Sequence, residues 1–153
     1  MSTLIGVPGG PTADVVARVF VPGEGAQVCA ETGYSGHFCG TVTDINARLT
    51  SINFWHGNLD YWQNLIKVRL NFSPRAFSEG VRGNDFGSPV YYIRERNAEG
   101  RTTKVQPVGI VIDYVYEESE DGTRCEIYMY CVSIDRILLN YPELSLIGTP
   151  PHQ

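Results

Sequence analysis

From residue 13 onward the sequence follows an alternation of period two, with Val, Ile, Thr and Tyr at the recurring places. Successive side chains of a strand point to opposite faces of a sheet, so this pattern fits half-buried strands and does not fit helices. The runs fall at residues 13–21, 26–31, 37–54, 64–72, 88–96, 103–116 and 123–132, and Gly, Pro, Asn or Asp marks the breaks between them. About seven strands are enough for a small barrel or sandwich, so the expected class is all-β. Two hairpin tips, Asn97-Ala98-Glu99-Gly100 and Glu118-Ser119-Glu120-Asp121-Gly122, join long flanking strands through residues that tolerate positive φ. One helix is expected, over residues 133–141. Ser133 can cap it, Ile134, Ile137, Leu138 and Tyr141 recur at helical spacing, and Pro142 ends it. Residues 55–63 open on a Gly-Asn turn signal and close on Tyr61 and Trp62 without periodicity, which reads as a loop or a short helical turn.

The 153 residues suit one domain. Residues 13–146 are expected to form it, with an N-terminal arm over 1–12 and a C-terminal tail over 147–153, where Gly and Pro recur without periodicity. With 42% hydrophobic and only 19% charged residues, the chain has the composition of a globular domain rather than of a disordered tail. Twelve Lys and Arg against seventeen Asp and Glu leave a net charge of -5, the wrong sign for neutralising phosphates, so no nucleic-acid partner is expected. No apolar run approaches the roughly 18 residues of a membrane-crossing helix, so no membrane partner is expected either. No basic residue and no apolar core precede Arg18, which is unlike a secretory signal. The expected location is therefore the cytoplasm or a virion, unless the chain is cut from a longer precursor.

Two segments carry a family resemblance. The stretch Gln27-Val28-Cys29-Ala30-Glu31-Thr32-Gly33-Tyr34-Ser35-Gly36-His37-Phe38-Cys39-Gly40-Thr41 resembles the hairpin that opens the second barrel of chymotrypsin-like serine proteases of the streptogrisin and α-lytic protease group. Asn84-Asp85-Phe86-Gly87-Ser88-Pro89-Val90-Tyr91 resembles that family's Gly-Asp-Ser-Gly-Ser-Pro-Val-Tyr nucleophile loop. Val108-Gly109-Ile110-Val111 then takes the place of the strand beside the substrate channel, and residues 134–146 that of the closing helix and tail. The resemblance implies a small antiparallel Greek-key barrel, one half of a trypsin-like protease, with a short C-terminal helix.

The departures bear on activity. In the register that keeps Asp85, Gly87, Pro89 and Val90 in place, the nucleophile position is Phe86, which has no atom to attack a carbonyl. Ser88 lies two residues beyond the turn whose amides would form an oxyanion hole, and Asn84 stands where the family has glycine. The family's catalytic His and Asp belong to a first barrel, whereas the residues before Cys29 contain no His. The resemblance thus implies a structural role for Asp85 and no catalytic residue. It also implies that the apolar face a first barrel would cover is open to another protein or to copies of the same chain.

Other constellations have more than one reading. Cys29 and Cys39 face each other across the turn at Gly33 to Gly36, which suits a disulfide if the protein is exported; two free thiols, or metal ligation with His37, are the alternatives, and no metal or other cofactor is the expected outcome. Cys125 and Cys131 lie about 20 Å apart along one strand at about 3.3 Å per residue, too far to pair, and read as buried thiols on one face. His56 near Asp60 has no nucleophile tied to it. Trp55, Tyr61 and Trp62 suit an interface anchor or burial within the barrel. Tyr92, Arg94 and Arg96 share a strand face, which Arg101 and Lys104 extend into a basic patch that either holds an acidic partner or is a solvated face balanced by Glu95 and Glu99.

The expected function is a non-catalytic binding or assembly module, including a structural subunit of a viral or phage particle. The rival is a serine-type peptidase half that uses Ser88 or Ser78, with His and Asp supplied by another chain.

Overall fold

The computed structural model describes residues 4–7, 10–53 and 58–146. Its strands are β1 (Leu4–Val7), β2 (Gly10–Val15), β3 (Gln27–Thr32), β4 (Gly36–Asn53), β5 (Asn58–Leu70), β6 (Pro89–Arg96), β7 (Thr102–Glu118) and β8 (Cys125–Ser133). Two short turns of helix, α1 (Arg75–Ser78) and a 3-10 turn at Arg82–Asp85, lie between β5 and β6, and α2 (Ile134–Asn140) follows β8.

Six strands close on themselves in the order β3-β4-β5-β8-β7-β6, every pair antiparallel. The chain runs β3-β4-β5 as a meander, crosses back to lay β6 beside β3, and inserts β8 between β5 and β7. This is a Greek-key barrel. β7 serves two hairpins: its first half pairs with β6 and its second half with β8. Gly109 is the hand-over residue, opposite Val90 on one side and Ser133 on the other. Gly40 does the same for β4, opposite Val28 and Leu70. A methyl group on either glycine would run into backbone, the Arg69 carbonyl at Gly40 and the Val132 carbonyl at Gly109. Both positions therefore require glycine for close strand approach rather than for an unusual φ.

The alternation read from the sequence sorts side chains between two faces. Val28, Ala30, Phe38, Val42, Ile66, Val68, Val90, Val108, Val111, Tyr114 and Met129 fill the main core. Each of the Val, Ile, Phe and Met side chains among them is worth about 1.5–3 kcal/mol when taken out of water. Outside the barrel are two smaller clusters. Ala13 of β2 covers Cys29, Tyr91 and Val105, while Ala47, Leu49 and Trp62 pack with Leu65, Ile112 and Tyr130. The second arrangement needs the bulges at Asp44 to Leu49, together with Asn64 at φ 57°, which turn the long β4–β5 hairpin back against the barrel wall.

The all-β class, the barrel and the C-terminal helix follow the sequence reading. Four local features differ. β2 ends at Val15 rather than at residue 21, because the Arg18 amide turns back to the Val16 carbonyl and breaks the extended run. Part of the expected N-terminal arm is strand: β1 and β2 form a hairpin, and β2 joins β7 through a parallel pairing at Asp14↔Lys104 and Val15↔Val105. Residues 58–63 are strand, not loop or helical turn, since the β4–β5 ladder continues to Asn53↔Asn58, and residues 55–57 lie outside the described residues. The two helical turns between β5 and β6 carry no sequence periodicity, being too short to show one.

Candidate functional site

The loop that leads into β6 is organised around Asp85, which is fully buried. A buried carboxylate must recover in hydrogen bonds what it loses in hydration. Asp85 Oδ1 accepts the backbone N–H groups of Tyr34 at 3.2 Å and Ser35 at 3.3 Å. Its Oδ2 accepts the Ser35 hydroxyl at 2.5 Å and the Tyr114 hydroxyl at 2.9 Å. Ser35 Oγ in turn accepts the Ala76 N–H at 2.8 Å. One carboxylate thus ties the β3–β4 turn, α1 and β7 to the loop. Burial, reinforced by the bond to Asp85, pushes the Tyr114 phenol well above the ordinary tyrosine range. At the rim the Tyr34 hydroxyl donates to Glu79, which also accepts Arg75 Nε at 3.0 Å, and the Arg75 guanidinium lies over the Tyr34 ring. Those two donors hold the Glu79 carboxyl below its usual value, and the bond to Glu79 raises Tyr34.

Phe86 projects from this frame with 59% of its surface exposed. The amides around it are already engaged. Asn84 N donates to the Val81 carbonyl at 3.0 Å and Phe86 N to Gly83 at 3.2 Å, both within the 3-10 turn. Gly87 N donates to Val111 at 2.8 Å and Ser88 N to Asp85 at 3.1 Å. An oxyanion hole needs N–H groups aimed at an empty position, and these are aimed at carbonyls of the protein. Of the two serines considered as nucleophiles, Ser78 shares a 2.5 Å contact with the Ser73 hydroxyl and Ser88 is half-buried at the start of β6. Among the described residues neither shares a hydrogen bond with a histidine; His37 is exposed on β4.

The six-stranded barrel as a whole has known counterparts. Cellulomonas bogoriensis chymotrypsin superposes with a TM-score of 0.54 at 20% identity over 93% of this chain and 59% of its own. Nocardiopsis protease gives 0.56 at 16% identity over 91% and 57%. Thermobifida fusca protease A gives 0.55 at 16% identity over 91% and 57%.

The fold is that of one barrel of a trypsin-like protease. At these identities the likeness is one of fold, and the chain spans less than two thirds of the length of the proteases it matches. No family model and no curated protein matches the sequence.

The barrel distributes the other candidate residues unevenly. Cys29 and Cys39 are disulfide-bonded across β3 and β4, which leaves no thiolates for the metal site considered with His37. Cys131 is buried and its thiol is pushed up by that burial, but Cys125 is exposed, so the expected pair of buried thiols is corrected to one. Cys125 opens β8 beside the β7–β8 tip, beyond the reach of the core. Trp55 and His56 lie outside the described residues. Tyr61 is 73% exposed, whereas Trp62 packs in the outer cluster with Leu65 and Tyr130, so the two aromatics part company.

Tyr92 stacks on Phe20 with ring centroids 3.9 Å apart. Arg94 and Arg96 are exposed, but the β6–β7 ladder skips Arg94 between Ile93 and Glu95 and shifts again before Arg96, interrupting the alternation from which a shared face was expected. Lys104 pairs with Glu95 at 3.5 Å and Arg101 with Glu99 at 3.9 Å, the balance expected of a solvated face. The residues that anchor the loop, Ser35 and Tyr114, were not singled out from the sequence. They lie 50 and 29 positions from Asp85, and only the closed barrel brings them to it.

Proposed function

We propose that this barrel is a non-catalytic module that binds another protein or copies of itself. The observation that carries this reading is the state of the nucleophile loop, where an exposed phenylalanine stands at the reactive position and the neighbouring amides are bonded inward. The likeness to proteases supports a scaffold built to present loops beside β6, and function follows the site rather than the scaffold. Exposed apolar side chains supply surface for a partner. Besides Phe86, Val21, Ile45 and Leu139 border one groove of about 210 Å³ beside α2. A structural subunit of a viral or phage particle is the narrower form of the same proposal.

The absolute mass in solution, measured by light scattering over a concentration series with and without reductant, tests it together with labelling by a serine-reactive phosphonate. The reading expects no label and either a discrete oligomer or a monomer that binds hydrophobic dye. Stoichiometric labelling at Ser88 or Ser78 would overturn it in favour of a peptidase half, and a monodisperse monomer with no dye binding would overturn the binding role.

A further inference from the structure

Around the barrel each strand from β3 to β8 has a neighbour on both sides, but only over part of its length: β4 beyond Val42, β5 before Ile66, β6 beyond Tyr91 and β7 beyond Ile110 are strand-paired on one side alone. β2 is also paired on both sides, with β1 and with β7. Among the described residues, β1 is paired on one side only along its whole length, whereas the other open lengths carry charge: Asp44 and Arg48 in β4, Asp60 in β5, Arg94, Glu95 and Arg96 in β6, and Asp113, Glu117 and Glu118 in β7. Open edges are templates for pairing with another chain, and proteins usually blunt them with charge, proline or a covering loop. Leu4-Ile5-Gly6-Val7 contains neither charge nor proline. The whole stretch before Asp14 is free of Asp, Glu, Lys, Arg and His, in a chain that carries a net charge of -5. Two acidic copies repel each other over most of their surface, and this is the segment where that repulsion is weakest.

We propose that β1 pairs antiparallel with β1 of a second copy about a two-fold axis, joining two β1–β2 hairpins into one four-stranded sheet. The pairing rests on the self-association form of the function proposed above. An isologous contact needs no second sequence, because the same apolar residues meet themselves and the assembly closes at two. It also gives the hairpin what it lacks alone. Two strands are marginal in water, and β2 meets the barrel ladder at only two residue pairs.

The test combines mass with a covalent readout. Wild type is expected at twice 17.0 kDa. Ile5→Lys should weaken the dimer about tenfold or more. That substitution makes the chain less acidic overall, so a lost dimer cannot come from greater net repulsion between copies and reports on the β1 contact itself. In a Cys125→Ser background, single cysteines at positions 4, 5 and 6 should form an oxidised dimer most rapidly at the position on the two-fold. An oligomer that survives Ile5→Lys and forms no cross-link through these positions overturns the β1 pairing and leaves self-association standing. A wild-type monomer at all concentrations overturns both the pairing and self-association.

Discussion

Asp85 is a negative charge held in the interior by hydrogen-bond donors alone, which makes it the most consequential single residue of the loop. Asp85→Ala should cost about 3 kcal/mol or more in denaturant unfolding, since two amides and two hydroxyls lose their acceptor. Tyr114→Phe removes one donor and should cost about 1–2 kcal/mol. Phe86→Ser places a hydroxyl at the exposed loop position that the resemblance aligns with a nucleophile, without freeing the amides beside it. It is expected to leave stability within about 0.5 kcal/mol, because the ring is exposed, and to remain unlabelled by phosphonate. Tyr91 behaves in the opposite sense: its hydroxyl is buried without a partner among the described residues, so Tyr91→Phe should be neutral or stabilising in the same measurement. At this scale the nucleophile-loop resemblance singled out Asp85 and Phe86. It did not show what binds Asp85, because hydrogen bonds across 50 residues leave no local pattern.

Among the elements, the two hand-over glycines are the sharpest test of the barrel geometry. Gly109→Ala should destabilise by about 1–3 kcal/mol, since Val132 can make room only by parting β7 from β8. Gly33→Ala, with open space around it and an ordinary φ, is the control expected to change little; thermal unfolding of the pair checks both. The strands themselves were legible because burial on alternate faces is a local signal, read again at each pair of residues. Their ends were not, because pairing decides them. β5 begins six residues before the expected 64, where β4 still offers it a partner, and β2 stops where Arg18 folds back. The shared face assigned to Tyr92, Arg94 and Arg96 was interrupted for a related reason, a bulge that period-two reading cannot see.

For the molecule as a whole, alkali should be more damaging than moderate acid. Burial pushes the Tyr91 phenol from its ordinary 10.0 up to about 12, and burial raises Tyr114 and Tyr130 as well. Folding keeps these groups neutral where the unfolded chain ionises them, so their contribution is full below pH 10 and is lost as pH rises through about 12. Circular dichroism against pH, alongside phenolate absorbance, should show unfolding and ionisation moving together in that window. Reducing Cys29–Cys39, ten residues apart, should lower stability by about 2–3 kcal/mol on loop-closure grounds, measurable as a shift in urea midpoint. The all-β class was readable from seven alternating runs and one helix, which suit a barrel and a sandwich alike, and the Greek-key barrel was implied by the resemblance of the two motif segments.

The late insertion of β8 has a consequence for biosynthesis. Until residues 125–133 have left the ribosome, β5 and the second half of β7 each lack the neighbour that completes the barrel, and the apolar residues that line it stay wet. Synthesis therefore holds the nascent chain in a sticky, open-edged state until β8 emerges, and a product terminated within the β7–β8 tip should be found in aggregates or on chaperones rather than as a smaller folded domain.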